Sequence, residues 1–297
     1  MSPSLARLRR HWLAVAGATL LTFGAAAAIA ATADPRRVVS VGGAVTEIVY
    51  ALGEDARLTA VDTTSYFPTE AGALPKVGYY RALSAEGLLS VNPDLLLLQD
   101  GAGPPDALAV LKASGIAIAD VPDEVSPEGL QAKIRAVGRA LGVEDKAEAL
   151  ADQVAADFEA LAADVARVEV PKRVLFVLSL ANGRATVGGA GTSADAMIRL
   201  AGGVNAAADV DGFKPMVDEA VLAAAPDVVL VMARPGAEIP ATDVFASPGF
   251  AGTPAAEKAG FVSMDALYLL GFGPRTPQAA RDLAASLYPD VVERDAP

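Results

Sequence analysis

Two residue types that carry much of protein chemistry are nearly missing from this chain. It has no cysteine and a single histidine, His11, among 297 residues. Disulfides, thiolate nucleophiles, Cys zinc sites and a lipid-modified N-terminal Cys are therefore excluded. Serine and cysteine triads lean on a His base, and zinc and manganese sites usually need imidazole, so both become poor readings. Asp and Glu number 36, which leaves carboxylate acid–base chemistry open, but no paired-carboxylate motif stands out. Gly188-Gly189-Ala190-Gly191-Thr192-Ser193 tempts as a phosphate cradle, yet it lacks the Walker Lys and reads as a turn into a helix over 194–200. Tyr79, taken alone, reads as a surface or half-buried aromatic beside a Pro-Gly loop.

Residues 1–33 read as an export signal cleaved near Ala33, the alternatives being an earlier cut after Ala30 and an uncleaved anchor helix. Arg7, Arg9 and Arg10 give a positive start, residues 12–31 carry no charge, and Ala31-Thr32-Ala33 is a small-x-small site. Arg9-Arg10-His11-Trp12-Leu13 faintly resembles a twin-arginine signal, with Leu8 where Ser or Thr is usual, so the export route stays open. Loss of three Arg and no acid takes the formal charge from −12 to −15. His11 and the only Trp, Trp12, leave as well, so the exported chain has no imidazole. Its acidic balance argues against nucleic acid or an anionic membrane surface as partner. With 53% hydrophobic and 20% charged residues it can still bury a substantial core.

The exported part alternates strand and helix. Val38 to Val41 is a short apolar run, 46–52 a helix closed by Gly53, 58–61 a second strand, and Leu95 to Leu98 a strand covered on both faces. A helix at 105–114 and a strand at 116–121 follow. This rhythm predicts an α/β class with largely parallel sheets. The plan then repeats. The segment from Leu83 to Asp94 and the segment from Met216 to Asp227 align without a gap at an offset of 133, each a short helix, a Pro-Asp break and a buried strand. Ala147, Leu150, Val154, Phe158, Leu161 and Val165 recur at helical spacing between the two halves. The expectation is a lobe at 34–145, a linker helix at 146–169 and a second lobe at 170–297, with the ligand in the cleft between the lobes.

The chain resembles the periplasmic substrate-binding proteins of helical-backbone class III, and within them the heme-binding members that serve heme ABC importers. The likeness rests on Val41-Gly42-Gly43-Ala44-Val45-Thr46-Glu47-Ile48, Asp62-Thr63-Thr64-Ser65-Tyr66, the run from Leu74 to Gly87 with its Gly78-Tyr79-Tyr80-Arg81, and Leu269-Leu270-Gly271-Phe272-Gly273-Pro274-Arg275-Thr276-Pro277. The resemblance implies a non-enzymatic carrier of heme (ferric protoporphyrin IX) with Tyr79 as axial iron ligand. Iron(III) is hard and suits an anionic oxygen. A free phenol ionises near pH 10, so the iron, helped by a nearby guanidinium, has to displace the proton. In an extended segment Arg81 faces the same side as Tyr79 and Tyr80 the other.

The resemblance also brings Arg234 towards the ligand, and Tyr66, Tyr268, Phe213, Met216 and Phe272 are candidate porphyrin walls. Arg275 is read as serving the fold by capping a helix end. Glu86 and Glu219 take matched places in the two lobes, where the family docks onto basic residues of its permease. With no His, one heme held by Tyr79 is favoured, a second stacked heme stays open, and a monomer is expected. The competing readings are a ferric-siderophore or cobalamin carrier, against which the absence of Trp counts modestly, and a carboxylate-based periplasmic enzyme.

Overall fold

Val38-Val39-Ser40-Val41 is buried along its whole length. It therefore sits in the middle of a sheet rather than at its edge. In the computed structural model, which describes residues 35–181, 184–234 and 238–294, this strand is β1. The export-signal reading lies outside the described residues. After β1 (Val38–Val41) come α1 (Gly43–Ala51), β2 (Leu58–Val61), α2 (Thr69–Gly72), α3 (Ala85–Ser90), β3 (Leu95–Gln99), α4 (Pro105–Ala113), β4 (Ala117–Val121) and α5 (Pro127–Leu141). Their sheet is wholly parallel in the order β2-β1-β3-β4. Apolar clusters cover both its faces, one under α1 and α5 and one under α3 and α4.

α6 (Glu144–Val165) follows, then β5 (Arg173–Ala181), β6 (Arg184–Gly188), α7 (Ser193–Leu200), β7 (Val204–Asn205), β8 (Phe213–Met216), α8 (Asp218–Ala224) and β9 (Val228–Ala233). The chain ends with α9 (Ala241–Ala246), α10 (Pro248–Ala251), α11 (Pro254–Glu257), β10 (Phe261–Asp265), α12 (Ala266–Leu270) and α13 (Thr276–Leu287). The second sheet runs β10-β9-β5-β6-β8, with β7 beside β5. Its β10-β9-β5 part is parallel, while β6 and β8 add an antiparallel edge.

The 22-residue α6 spans about 33 Å at 1.5 Å per residue. Along it Ala147, Ala151, Val154 and Phe158 enter the core of the first lobe, and Leu161 enters the core of the second. One helix is thus shared by both cores. A hinge there would have to break apolar packing on each side.

The internal repeat reaches individual bonds. In the first lobe Asp94 accepts the Arg37 amide at 3.0 Å, the Asp94 amide returns to the Arg37 carbonyl at 2.8 Å, and Arg37 Nε donates to the Asn92 carbonyl at 2.7 Å. In the second, Asp227 accepts the Arg173 amide at 2.9 Å, the Asp227 amide returns at 2.8 Å, and Arg173 Nε donates to the Ala224 carbonyl at 2.9 Å. Asn92 (φ 47°) and Ala225 (φ 42°), 133 positions apart in sequence, are both left-handed. Asn tolerates that conformation, whereas Ala carries its Cβ clash there. Ala225→Gly is expected to stabilise the protein by about 1 kcal/mol, strain relief outweighing glycine's entropy. A raised urea midpoint at unchanged slope would register it.

α1 starts at Gly43, three residues earlier than its apolar pattern suggests. The reason is the neighbouring loop. Asp62 Oδ1 accepts the Gly42 amide at 3.1 Å and Thr64 Oγ1 accepts the Gly43 amide at 2.9 Å, so amides at the helix start are satisfied from outside. A Cβ at Gly43 would lie 2.6 Å from Leu267 Cδ1 of the second lobe and 2.7 Å from the Thr64 carbonyl. The lobes meet closely here because this residue has no side chain.

Candidate functional site

The loop carrying Tyr79 is tied down at the carboxyl end of the first sheet. The Val61 amide donates to the Pro75 carbonyl at 2.9 Å and the Val77 amide to the Val61 carbonyl at 3.0 Å. Thr63 then donates to the Gly78 carbonyl at 2.8 Å. Gly78 has φ 98°, a conformation open to glycine and strained for other residues. Below the loop, Lys76 Nζ donates to the Ser65 carbonyl at 2.7 Å and the Ala71 carbonyl at 2.9 Å. Beyond Tyr79 the chain crosses to the loop after β3, where Gly103 donates to the Tyr80 carbonyl at 2.9 Å and Leu83 to the Gly103 carbonyl at 2.8 Å. The backbone is fixed, yet the Tyr79 side chain is 45% exposed.

This segment is not extended, which corrects the expectation that Arg81 shares a side with Tyr79 while Tyr80 points away. The Ala82 amide donates to the Tyr79 carbonyl at 2.7 Å, closing a turn through Tyr80 and Arg81, and strand alternation does not apply within a turn. The Tyr79 and Tyr80 rings consequently meet edge to face, with centroids 4.9 Å apart and planes at 78°. The Arg81 guanidinium lies over the Tyr80 ring, 4.9 Å from its centroid. Burial, above all, pushes the Tyr80 hydroxyl up to about 12; Arg81 pulls it down, while Tyr79 and Asp123 push it further up.

Tyr66 sits on the loop that leaves β2 and reaches across to the other lobe. Its hydroxyl donates to Asp265, at 3.1 Å from Oδ2, and accepts the Leu267 amide at 2.7 Å. Burial chiefly pushes it up to about 12, and the charge of Arg234 is among the groups that pull it down. Asp265 ends β10, so the carboxyl ends of parallel strands from both sheets converge here, where open α/β sheets commonly bind ligands. Arg234 follows β9 on the same edge, is exposed, and is 3.7 Å from Met232 Sδ.

Sequence reasoning missed the strongest ties across the seam. Glu47 of α1, 5% exposed, holds Arg275 of the second lobe through two bonds, 2.6 Å to Nη2 and 3.1 Å to Nε. The guanidinium lies 3.4 Å from the centroid of Phe67 and 4.9 Å from that of Tyr268. Arg275 does occupy the position before α13, but its side chain makes no capping bond; its role is this inter-lobe pair. Lys133, fully buried on α5, is 2.6 Å from Asp123 Oδ1 and donates to the Phe272 carbonyl at 3.0 Å. Gln99 at the end of β3 donates to Asp123 Oδ2 at 2.7 Å. The separation of 228 positions between Glu47 and Arg275 left no periodic signal. The only available hint was that both lie in glycine-rich motifs carrying the family likeness.

Of the suggested walls, Phe272 is fully buried with φ 50° and cannot face a cleft. Tyr268 is half-buried, with its hydroxyl 2.9 Å from Asp282. Phe213 is 42% exposed on the edge strand β8, and Met216 is partly buried beside the second-lobe core. The glycine run before α7 is occupied by the chain itself: Thr192 accepts the Asp195 amide at 3.1 Å, and buried Asp195 takes Asn205 Nδ2 at 3.0 Å. Glu86 and Glu219 are both exposed in the first turns of the matched helices α3 and α8. Two hollows flank α6, one of 270 Å³ against Phe158 and Leu200 and one of 440 Å³ between Asp157, Arg275 and Arg281. Neither includes Tyr79.

The profile of a family described as periplasmic binding protein matches residues 38–268. The chain belongs to that family. Among solved structures, this periplasmic binding protein is 41% identical to the periplasmic heme-binding protein RhuT from Roseiflexus sp. RS-1 in apo form, with TM-score 0.82 over 86% of this chain and 98% of that one. It is 45% identical to the periplasmic heme-binding protein BhuT in complex with two hemes, with TM-score 0.79 over 84% and 98%. It is also 27% identical over 261 residues, 87% of this chain and 82% of the relative, to the uncharacterized ABC transporter substrate-binding lipoprotein YvrC of Bacillus subtilis (strain 168). The relatives share the two-lobed α/β fold that the strand–helix rhythm predicts.

Proposed function

We propose that this periplasmic binding protein captures ferric heme between its lobes through Tyr79 and delivers it to the permease of an ABC transporter. The observation that carries the reading is an exposed phenol on a pinned loop at the carboxyl edge of the first sheet, in a chain 41% and 45% identical to two heme-binding proteins. Ferric iron takes an anionic oxygen readily. A single tyrosinate at a partly open face gives capture without the encapsulation that would oppose release to a transporter. Arg81 and Arg234, both exposed, are suited to the two propionates, and guanidinium matches carboxylate in charge and shape. Tyr66 and Tyr268 line the seam beneath. Titration of the purified protein with hemin, cyanocobalamin and a ferric siderophore tests the ligand class. Hemin is expected to give a Soret shift saturating at one equivalent. Retention of either other ligand without hemin uptake would overturn the proposal.

Glu86 and Glu219 are proposed as the docking carboxylates, one per lobe. Each is solvated and near a helix start, where a carboxylate can steer a basic permease surface. The double variant Glu86→Arg/Glu219→Arg is expected to keep wild-type hemin binding while transport into proteoliposomes holding the cognate permease falls at least about tenfold, opposed charge being replaced by repulsion. Undiminished transport would remove the assignment.

A further inference from the structure

The matched helices α3 and α8 agree on their inward faces and differ outward. Leu88 and Val221, 133 positions apart, are both fully buried, and Glu86 and Glu219 are both exposed. At the position before each helix the lobes part. Ser84 caps α3, its Oγ accepting the Gly87 amide at 3.2 Å. Its counterpart Val217 makes no side-chain cap on α8 and is 51% exposed. Leu89 packs against the first-lobe cluster of Val39, Val77 and Leu88, whereas its counterpart Leu222 is 41% exposed. Leu222 stands three residues after Glu219, so the two share a face of α8. The face starts at the carboxyl edge of the second sheet, since Met216 pairs with Ala185 and Ala185 with Leu180 near the end of β5. The second lobe thus forgoes a cap and leaves two large apolar side chains in water around one carboxylate. Neither choice stabilises the free protein; both favour a partner that covers the face.

Resting on the docking reading of Glu86 and Glu219 above, we propose that permease docking is asymmetric: Val217 and Leu222 form an apolar anchor that is buried around Glu219 on the second lobe, while the first lobe engages through the charge of Glu86. The occupant is the permease of the ABC transporter, because the patch is continuous with the carboxylate assigned to it and that carboxylate calls for a cation opposite. The matching permease surface is a basic residue beside an apolar recess. The two kinds of contact act on different rates. Long-range charge raises the association rate, and buried apolar area lowers the dissociation rate.

The test is binding of the hemin-free protein to the cognate permease–ATPase complex in nanodiscs, with association and dissociation followed separately by biolayer interferometry. Omitting hemin keeps the heme reading out of the measurement. Val217→Ser supplies the cap that α8 lacks, so it is expected to raise the urea midpoint while dissociating about threefold faster. Val217→Ser/Leu222→Gln should dissociate at least about tenfold faster at a near wild-type association rate, two aliphatic side chains no longer being covered. Val170→Ser, at a 79% exposed valine before the amino end of β5, should dissociate like wild type. Wild-type dissociation of the double variant, or equal acceleration by Val170→Ser, overturns the anchor, and loss of binding by Glu86→Arg/Glu219→Arg in the same assay then leaves the docking reading in place. Undiminished binding by Glu86→Arg/Glu219→Arg overturns the docking reading itself.

Discussion

Replacing Arg275 with alanine is expected to cost about 3–5 kcal/mol of stability, the range for breaking a buried ion pair from one side. Glu47 is 5% exposed and has both carboxylate oxygens on that guanidinium, at 2.6 and 3.1 Å. Burial holds its carboxyl above the ordinary carboxylate range, and Arg275, by hydrogen bonding and by charge, is the main opposing pull. Without Arg275 the carboxylate keeps only the more distant Lys133 as a favourable charge, with Asp265 working against it. The stack on Phe67 at 3.4 Å is lost as well. The pH dependence has a definite sign. A carboxyl whose folded-state pKa is raised holds its proton more tightly folded than unfolded, so its ionisation subtracts stability as pH rises from the unfolded value towards the folded one. Arg275→Ala raises the folded value further. Its charge-dependent deficit should therefore be largest above the folded-state values and shrink as pH falls through that raised range, being largely gone at about pH 4, where the carboxyl is protonated in both proteins. Glu47→Gln should cost less than about 1.5 kcal/mol, because Arg275 is 26% exposed and the amide oxygen still accepts. Urea unfolding of the two variants at pH 7 and pH 4 measures both statements; equal deficits at the two pH values would contradict the charge argument.

The second large effect concerns the ligand. Tyr79→Phe is expected to weaken hemin binding at least about 100-fold, or some 2.7 kcal/mol, because the variant keeps the ring and loses the oxygen donor. Arg81→Ala should weaken binding by no more than about tenfold, the scale of a partly solvated guanidinium–carboxylate pair. Its guanidinium lies over the Tyr80 ring, and the proposed function assigns it to a propionate rather than to Tyr79. Hemin titrations of the three proteins followed in the Soret region would measure the order.

Much of the architecture was written in the order of the residues. The 133-residue offset between the two Pro-Asp breaks foretold two related halves, and the structure extends it to the Arg37–Asp94 and Arg173–Asp227 clasps and to left-handed Asn92 and Ala225. Periodicity found the buried stripe of α6 because helical spacing is local. The arrangement around Tyr79 was not legible in the same way. One bond, from the Ala82 amide to the Tyr79 carbonyl, turns Arg81 away from the place that strand alternation gives it, and no residue type there announces the turn. Phe272 looked like a cleft wall by its chemistry, yet it is fully buried with its carbonyl on Lys133. The seam pairs Glu47 with Arg275 and Tyr66 with Asp265 across most of the chain. Such contacts are set by how two finished lobes meet, and neither spacing nor propensity encodes that.

The central claim is an iron–oxygen bond to Tyr79, and resonance Raman spectroscopy of the ferric hemin complex reads that bond directly. With excitation in the charge-transfer band, wild type should show the enhanced ring modes of an iron-bound tyrosinate, and Tyr79→Phe should show none. Hemin bound without those modes in wild type, or with the same modes in the variant, would contradict the account.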